Sequence, residues 1–170
     1  IKAKYIALEN CSFHLKANDK VPPEGLFDEN HLDIRKINIA VDAASITGDT
    51  ITGNVTHLSA AERCGLAIRN MHSNVSVSPV ASVCRNLYLE TNYSKIQNYY
   101  AMHYRHFPNF LNYIDSVEMV GHMKDAKVDI RDIAFFAPQL KSFPAMTLQV
   151  SGDGRGTVAN IGATHLNVSD

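Results

Sequence analysis

Apolar and polar residues alternate with a period of two over much of this 170-residue chain. Ile37, Ile39 and Val41 interleave with Asn38, Ala40 and Asp42, and Ile51 and Val55 with Thr52, Asn54 and Thr56. The same rhythm sets Val75 and Val77 beside Ser76 and Ser78, and Leu87 and Leu89 around Tyr88. It returns at Val128 and Ile130 around Asp129, and at Leu148 and Val150 around Gln149. Successive side chains of a strand point to opposite faces, so each run predicts a strand with one apolar and one polar face. The runs are short and end at Gly48-Asp49, Ser78-Pro79, Asn92 and Gly152-Asp153-Gly154. The fold class this predicts is mainly β: an antiparallel meander with one face solvated.

Several runs share an internal echo. Leu32-Asp-Ile34-Arg35-Lys-Ile37-Asn-Ile39 carries an apolar pair, two polar residues, then an apolar pair in the opposite phase. Leu66-Ala-Ile68-Arg69-Asn-Met71 and Val128-Asp-Ile130-Arg131-Asp-Ile133 repeat it. A phase flip inside a strand needs one extra residue, hence a bulge, so the expectation is a bent, kinked sheet forming a groove or half-barrel. The irregular spacing excludes a strict solenoid repeat.

Helical signals are sparse, and two or three short helices are expected. Phe107, Phe110, Leu111 and Ile114 form a one-sided stripe over 106–115, with Pro108 suited to a first turn. Ile133, Phe136 and Leu140 form another, which Pro138 kinks or ends. Ser59-Ala-Ala-Glu62 has the form of a capping box and predicts one helical turn before Gly65. Gly152-Asp-Gly-Arg-Gly156 reads as a hairpin turn, since it lacks the Lys-Ser/Thr ending of a phosphate loop. Lys20–Gly25 reads as an exposed loop, and the similar strands on either side leave 1–170 as one domain.

Charge narrows the function classes. Sixteen basic against seventeen acidic residues give a formal net charge of -1, which is no nucleic-acid footprint. No stretch approaches the length of a membrane-spanning helix. The start, Ile1-Lys2-Ala3-Lys4-Tyr5, has neither initiator Met nor apolar signal core, so the chain reads as an internal piece of a longer protein. Cys11, Cys64 and Cys84 are far apart and odd in number; one disulfide plus a free thiol and three buried thiols both fit.

No constellation of catalytic residues emerges, and no cofactor is implied. His103 and His106, with His122 further on, lack a supporting carboxylate or Cys at ligand spacing, so they read as surface histidines. Cys64 has His57 before it but no third group, and no Gly-x-Ser-x-Gly elbow is present. Tyr93, Tyr99, Tyr100, Tyr104 and Tyr113 read as cross-strand packing, not a base-stacking platform. What remains is apolar area: so few helices cannot cover the apolar face of such a sheet, and an uncovered face marks a partner, a lipid or a missing part of the protein.

The order of segments resembles a known family. Phe27-Asp-Glu-Asn-His-Leu32, followed by Ile34-Arg-Lys-Ile37-Asn-Ile39, is similar to the "FDPNHL" segment of AsmA/TamB-like envelope proteins of Bacteroidetes. Thr47 to Leu58 resembles the next strand there, and Ser59-Ala-Ala-Glu-Arg-Cys-Gly-Leu66 the turn after it. Val128-Asp-Ile-Arg-Asp-Ile-Ala-Phe-Phe-Ala-Pro138 is the nearest match, and Leu148 to Thr157 resembles the family's continuation. The resemblance spans most of Leu26–Asp170 and implies a periplasmic β-sheet protein anchored in the inner membrane. In that family an apolar groove carries phospholipid acyl chains toward the outer membrane, or helps assemble proteins there, without a cofactor or an active site. The anchor helix and the C-terminal domain that would meet an outer-membrane partner are absent from these residues.

The in-phase apolar residues are therefore the candidate lipid-binding set: Ile37, Ile39, Val41, Val55, Ile68, Val75, Val77, Leu87, Leu89, Val128, Ile130, Leu148 and Val150. Phospholipid acyl chains are the expected ligand, no metal or nucleic acid is expected, and raw sheet edges allow dimerisation by strand pairing. The rival expectation is a closed β-sandwich that buries both apolar faces and binds a protein or glycan through the loops Lys20–Gly25 and Asn92–Tyr104.

Overall fold

The alternating segments become strands. The computed structural model describes residues 1–105, 116–157 and 160–169. Among these residues nine strands follow one another. They are β1 (Lys2–Lys16), β2 (His31–Thr47), β3 (Thr50–Glu62), β4 (Ala67–Ser78), β5 (Ala81–Glu90), β6 (Lys95–His103), β7 (Glu118–Asp129), β8 (Thr147–Thr157) and β9 (Asn160–Ser169). Each lies antiparallel beside its neighbour in the chain, in one sheet with β1 and β9 as edges. The sheet is mainly antiparallel β and is not closed into a barrel.

Register sorts the side chains onto two faces, because directly paired residues of antiparallel strands point the same way. One row crosses the sheet as Leu8–Ile39–Leu58–Met71–Leu89–Ile96. A second runs Ile46–Ile51–Val77–Ser82–Met102–Met119–Gly156. The opposite face carries Tyr5–Asp42–Asn54–Asn74–Arg85–Tyr99–His122–Asp153–Thr164, which spans all nine strands. On that face the Asn74 amide donates to Asn54 at 3.2 Å and the Asn86 amide to Asn74 at 2.9 Å, stitching β3, β4 and β5. The exception is the row Val83–Ala101–Val120, which places apolar residues on the polar side.

The phase flips are bulges, as the echo predicts. Every neighbouring pair of strands contains at least one register shift. One shift from each pair falls on a line running across the sheet: near Asn10, Thr56, Ser73, Asn86, Asn98, Asp125 and His165. Asn10 (φ 50°), Asn86 (φ 51°), Asn98 (φ 104°), Asp125 (φ 51°) and His165 (φ 54°) take left-handed backbone there. Asn, Asp and His adopt that region more readily than other side chains, so polar residues inside strands mark the bulges. β2 has two further shifts, at Lys36 (φ 52°) and Ala43 (φ 51°), which return Ile34, Ile37–Val41 and Ala44–Ile46 to one face.

Several expectations need correction. Ser59–Glu62 is the end of β3, not a helical turn: Ser59 pairs with Asn38 and Ala61 with Arg35, and ladder hydrogen bonds override the cap. The Glu62 carboxylate still caps, accepting from the backbone N–H of Cys64 at 2.6 Å and of Asp33 at 3.2 Å. Gly152–Gly156 lies inside β8 and not in a turn; Gly152 (φ 144°) and Gly156 (φ 148°) do use conformations suited to glycine. Ile130 leaves the strand pattern and opens a helical turn, α1 (Ile130–Ile133), capped by the Asp129 side chain. A 3-10 turn follows at Pro138–Ser142, so the stripe over 132–141 is broken at Pro138. The stripe at 106–115 lies outside the described residues. Asn92–Tyr104 is mostly β6 and not a free loop. The N-terminal strand β1 escaped the periodicity reading because Asn10 interrupts its alternation.

Ala43 offers a test of the bulge geometry. Its left-handed backbone costs a Cβ-bearing residue about 1–2 kcal/mol, only partly offset by the flexibility a glycine adds to the unfolded chain. Ala43→Gly is expected to hold or raise stability by up to about 1 kcal/mol, and Ala43→Val to lower it by about 1–3 kcal/mol, in urea unfolding. Equal effects of both changes would show that the bulge is not seated at Ala43.

Candidate functional site

The apolar face carries the candidate residues. Ile37, Ile39 and Val41 on β2, Val55 on β3, Ile68, Val75 and Val77 on β4, and Leu87 and Leu89 on β5 all lie on it. Val128 on β7 pairs with Leu148 on β8, and Val150 pairs with Ala126, so these three join the same face. Ile130 does not; it stands beyond the strand end in α1. Of the strand residues only Val55 (7% exposed) and Leu87 (6%) are buried, while the others keep part of their surface open. Ile6, Leu8 and Phe13 on β1 and Ile46 and Ile51 near the far end are exposed on the same face.

The whole chain exposes 10670 Å², whereas a compact monomer of its mass exposes about 8,300 Å². The difference is what a single layer predicts: a sheet with a second layer against its apolar face would bury that face. Among the described residues the strands form one sheet that is not closed into a barrel, and its rows along β2, β4 and β5 are half open, unlike the two buried faces of the closed-sandwich expectation.

Two features of this face escaped sequence reading. Gly152, Gly154 and Gly156 recur at every second position of β8, so all three fall on the apolar face, opposite Met123, Gly121 and Met119. The result is a strip of bare backbone, and such glycines allow close approach of another chain or ligand. Met71, Met102, Met119 and Met123 are four of the five methionines, and all lie on this face. Unbranched, polarisable methionine adapts to irregular apolar partners. The signal was available as Gly and Met at even spacing on one phase, hidden because neither scores as a strand former.

Among the described residues no second layer covers the apolar face, but a strap fastens one end of the strands. Residues 130–146, between β7 and β8, run back against chain order past the turns of earlier hairpins. The Asp132 carboxylate accepts from Thr91 Oγ1 at 2.6 Å and the Tyr93 N–H at 3.1 Å, in the β5–β6 turn. The Phe135 ring lies against Gly65 in the β3–β4 turn. Phe27, in the β1–β2 loop, donates its N–H to the Phe135 carbonyl at 2.9 Å and meets the Phe136 ring at 5.1 Å between centroids. Arg63 adds bonds to the Pro23 and Leu26 carbonyls.

Asp129 anchors the strap. It is 1% exposed, and its Oδ1 accepts from the Arg131 N–H at 3.0 Å and Nε at 2.8 Å. Its Oδ2 accepts from Arg131 Nη2 and Thr147 Oγ1, both at 2.8 Å, tying the strap's two ends together. The Arg131 guanidinium holds the Asp129 carboxyl far below the usual range, against the opposing effect of burial.

The chemistry-bearing residues are dispersed. His122 lies on the polar face, 2.6 Å from Asp153, and His103 ends β6 on the same face; His106 lies outside the described residues. Among the described residues no group of three or more His, Cys, Asp and Glu is placed to hold a metal. Cys64 and His57 do not meet as a nucleophilic pair: His57 bonds Asn70, and burial with the Glu62 carboxylate pushes the Cys64 thiol up to about 11, so it stays protonated. Cys11, Cys64 and Cys84 are all free thiols. Tyr99 packs on His122 at 5.1 Å and Tyr100 pairs across to Gly121, as cross-strand packing requires. No helix among the described residues is long and apolar enough to cross a membrane.

No family model, curated protein or solved structure matches this chain. The argument for function therefore rests on the apolar face itself.

Two outcomes test the strap. Asp129 is ionised more easily folded than unfolded, so its contribution is full above about pH 4 and fades as pH falls toward its depressed folded value. Asp129→Asn should cost about 2–3 kcal/mol at neutral pH and flatten the acid limb of the stability curve in urea titrations. Asp132→Ala should cost about 1–3 kcal/mol and speed amide exchange over 130–146 while β3–β5 stay protected. Uniform loss of protection would mean that the strap is not a separate unit.

Proposed function

We propose that this chain is a segment of an AsmA/TamB-like periplasmic protein that carries phospholipid acyl chains along an apolar β-sheet groove, its parent held in the inner membrane. The observation that carries the reading is the half-open apolar face: the strands keep most of their apolar residues on one side, and among the described residues no second layer lies upon it. The bulge line supports a groove, since bulges bend strands and increase local twist. With strands about 4.8 Å apart, nine of them make a face about 38 Å wide, longer than one extended acyl chain. The glycine strip on β8 and the methionines beside it suit a ligand with many conformers and no polar handle.

The role is passive. Burial of acyl chains supplies roughly 25 cal/mol per Å² of apolar area, and no bond is made or broken. The same surface in an assembly scaffold would take an amphipathic strand of a client protein; glycine and methionine favour the acyl chain, because a client strand would engage the sheet edges first.

The experiment is native mass spectrometry of the purified chain, with lipid extraction and uptake of added phosphatidylglycerol. Bound phospholipid is expected, and Ile39→Asp with Val77→Asp should reduce it at least tenfold while circular dichroism is unchanged. Gly154→Phe fills the glycine strip without adding charge and should halve uptake or more; Gly154 has nothing nearer than 3.9 Å to a new Cβ. A folded chain that neither carries nor takes up phospholipid overturns the reading.

A further inference from the structure

The β1–β2 loop closes around a buried histidine. Residues 17–30 leave β1 and return to β2, and the Ala17 N–H donates to the Asn30 carbonyl at 2.8 Å, which closes the base of the loop. His31 stands at that base and is 8% exposed. Its Nδ1 lies 2.9 Å from Asp28 Oδ2 and its Nε2 lies 3.0 Å from the Asn18 carbonyl, so one ring joins the two ends of the loop. A carbonyl only accepts hydrogen bonds, and so does an ionised carboxylate. Against the cost of burial, the Asn30 N–H at 2.9 Å and the His31 ring hold the Asp28 carboxyl below its usual value. Both bonds to the ring are therefore made only when both of its nitrogens carry hydrogen, as in the imidazolium.

Removal of one proton leaves one hydrogen for two acceptors. The charged carboxylate of Asp28 is the stronger acceptor and keeps it. The Nε2 lone pair then faces the Asn18 carbonyl, and water cannot replace the lost bond at a buried ring unless the loop moves. The other charged groups around the loop are engaged elsewhere or exposed. Lys16 pairs with Asp19 at 2.8 Å, Asp33 with Arg35 and His14, and Glu29 with the Asn30 amide, while Lys20 is exposed. Arg63 donates to the Pro23 and Leu26 carbonyls. Between the loop and the strand ends lies a cavity of about 550 Å³. Leu15 and Leu32, which pair on the apolar face, form part of its wall together with Val21 and Pro22 of the loop.

We propose that His31 is a pH-operated latch: as the imidazolium it fastens the β1–β2 loop to the sheet, and on losing a proton it releases residues 18–22 and opens the cavity behind them at this end of the apolar face. Arg63 and the strap hold Pro23 to Phe27 without any change of charge, so the movement is confined to the residues before them. The latch is complete at low pH, down to where Asp28 takes up a proton, and is lost as pH rises. It depends only on the ring and its two acceptors; its use as a gate for acyl chains rests on the groove reading.

Two measurements on the full chain at about pH 5.5 and about pH 8.5 bracket the range in which histidine changes charge. Nitrogen NMR of the His31 ring should show hydrogen on both nitrogens at the lower pH and on one at the higher. Trypsin cleavage after Lys20, normalised to a free peptide of residues 17–30, should rise at least about tenfold at the higher pH, while Arg85 within β5 stays uncut. His31→Gln should be cut at the same normalised rate at both pH values with circular dichroism unchanged. Asp28→Asn should move the transition to lower pH, and His14→Gln should leave it in place. Equal cleavage of the unaltered chain at both pH values overturns the proposal, as does a ring with one hydrogen at the lower pH. Uptake of phosphatidylglycerol should be several-fold faster at the higher pH and lose that dependence in His31→Gln. Uptake that ignores pH although the loop opens overturns the gate. A loop that opens on a chain taking up no phospholipid overturns the groove reading and leaves the latch standing.

Discussion

The strands of this sheet keep most of their apolar side chains on one face although the sequence changes phase within the strand. One extra residue at each flip satisfies that constraint, and the left-handed backbone at Lys36, Ala43, Asn86 and Asp125 absorbs it. Without the extra residue, Ile34 would face opposite to Ile37 and Val41, and each strand would divide its apolar area between two solvated sides. The glycine strip, the methionine rows and the asparagine ladder all depend on the bulges occurring in register across neighbouring strands.

The second constraint is how a single layer with little core stays folded. Few large side chains are fully buried; Val117, Asp129 and Ser73 are the largest. Hydrogen-bonded pairing carries the middle of the sheet, and polar anchors secure the end. Asp129 and Asp132 fix the strap to the β5–β6 turn and to the start of β8, while Phe27 and Phe136 draw in the β1–β2 loop. The acidic residues lie inside because their partners are backbone N–H groups and hydroxyls of the hairpin ends, and this leaves the strap's cations outside.

Much of the architecture was legible in the chain. Period-two runs such as Val75–Val77 and Leu87–Leu89 gave strands and their inward faces, and the echo around Arg35 gave the phase flips. Ser59–Glu62 was not legible, because a capping box and the end of a strand share local chemistry and only the pairing partner on β2 decides between them. Gly152–Gly156 misled for the same reason: glycine signals backbone freedom, which a strand with positive φ uses as readily as a turn. The strap's inside and outside could not be read at all, since Asp132 and Lys141 differ only in the hairpin turns they meet in three dimensions.

A line of bulges across every strand gives the sheet a direction of weakness. Ladder hydrogen bonds resist shear between strands, but the register shifts interrupt the ladder along that line, from Asn10 on β1 to His165 on β9. Sheet stiffness is then anisotropic, like that of scored card: folding about the line engages backbone torsions already outside the regular ladder, whereas bending across any other line breaks paired residues. Bending about that line would change the width of the apolar side, with the strands on either side of the crease moving as flat plates.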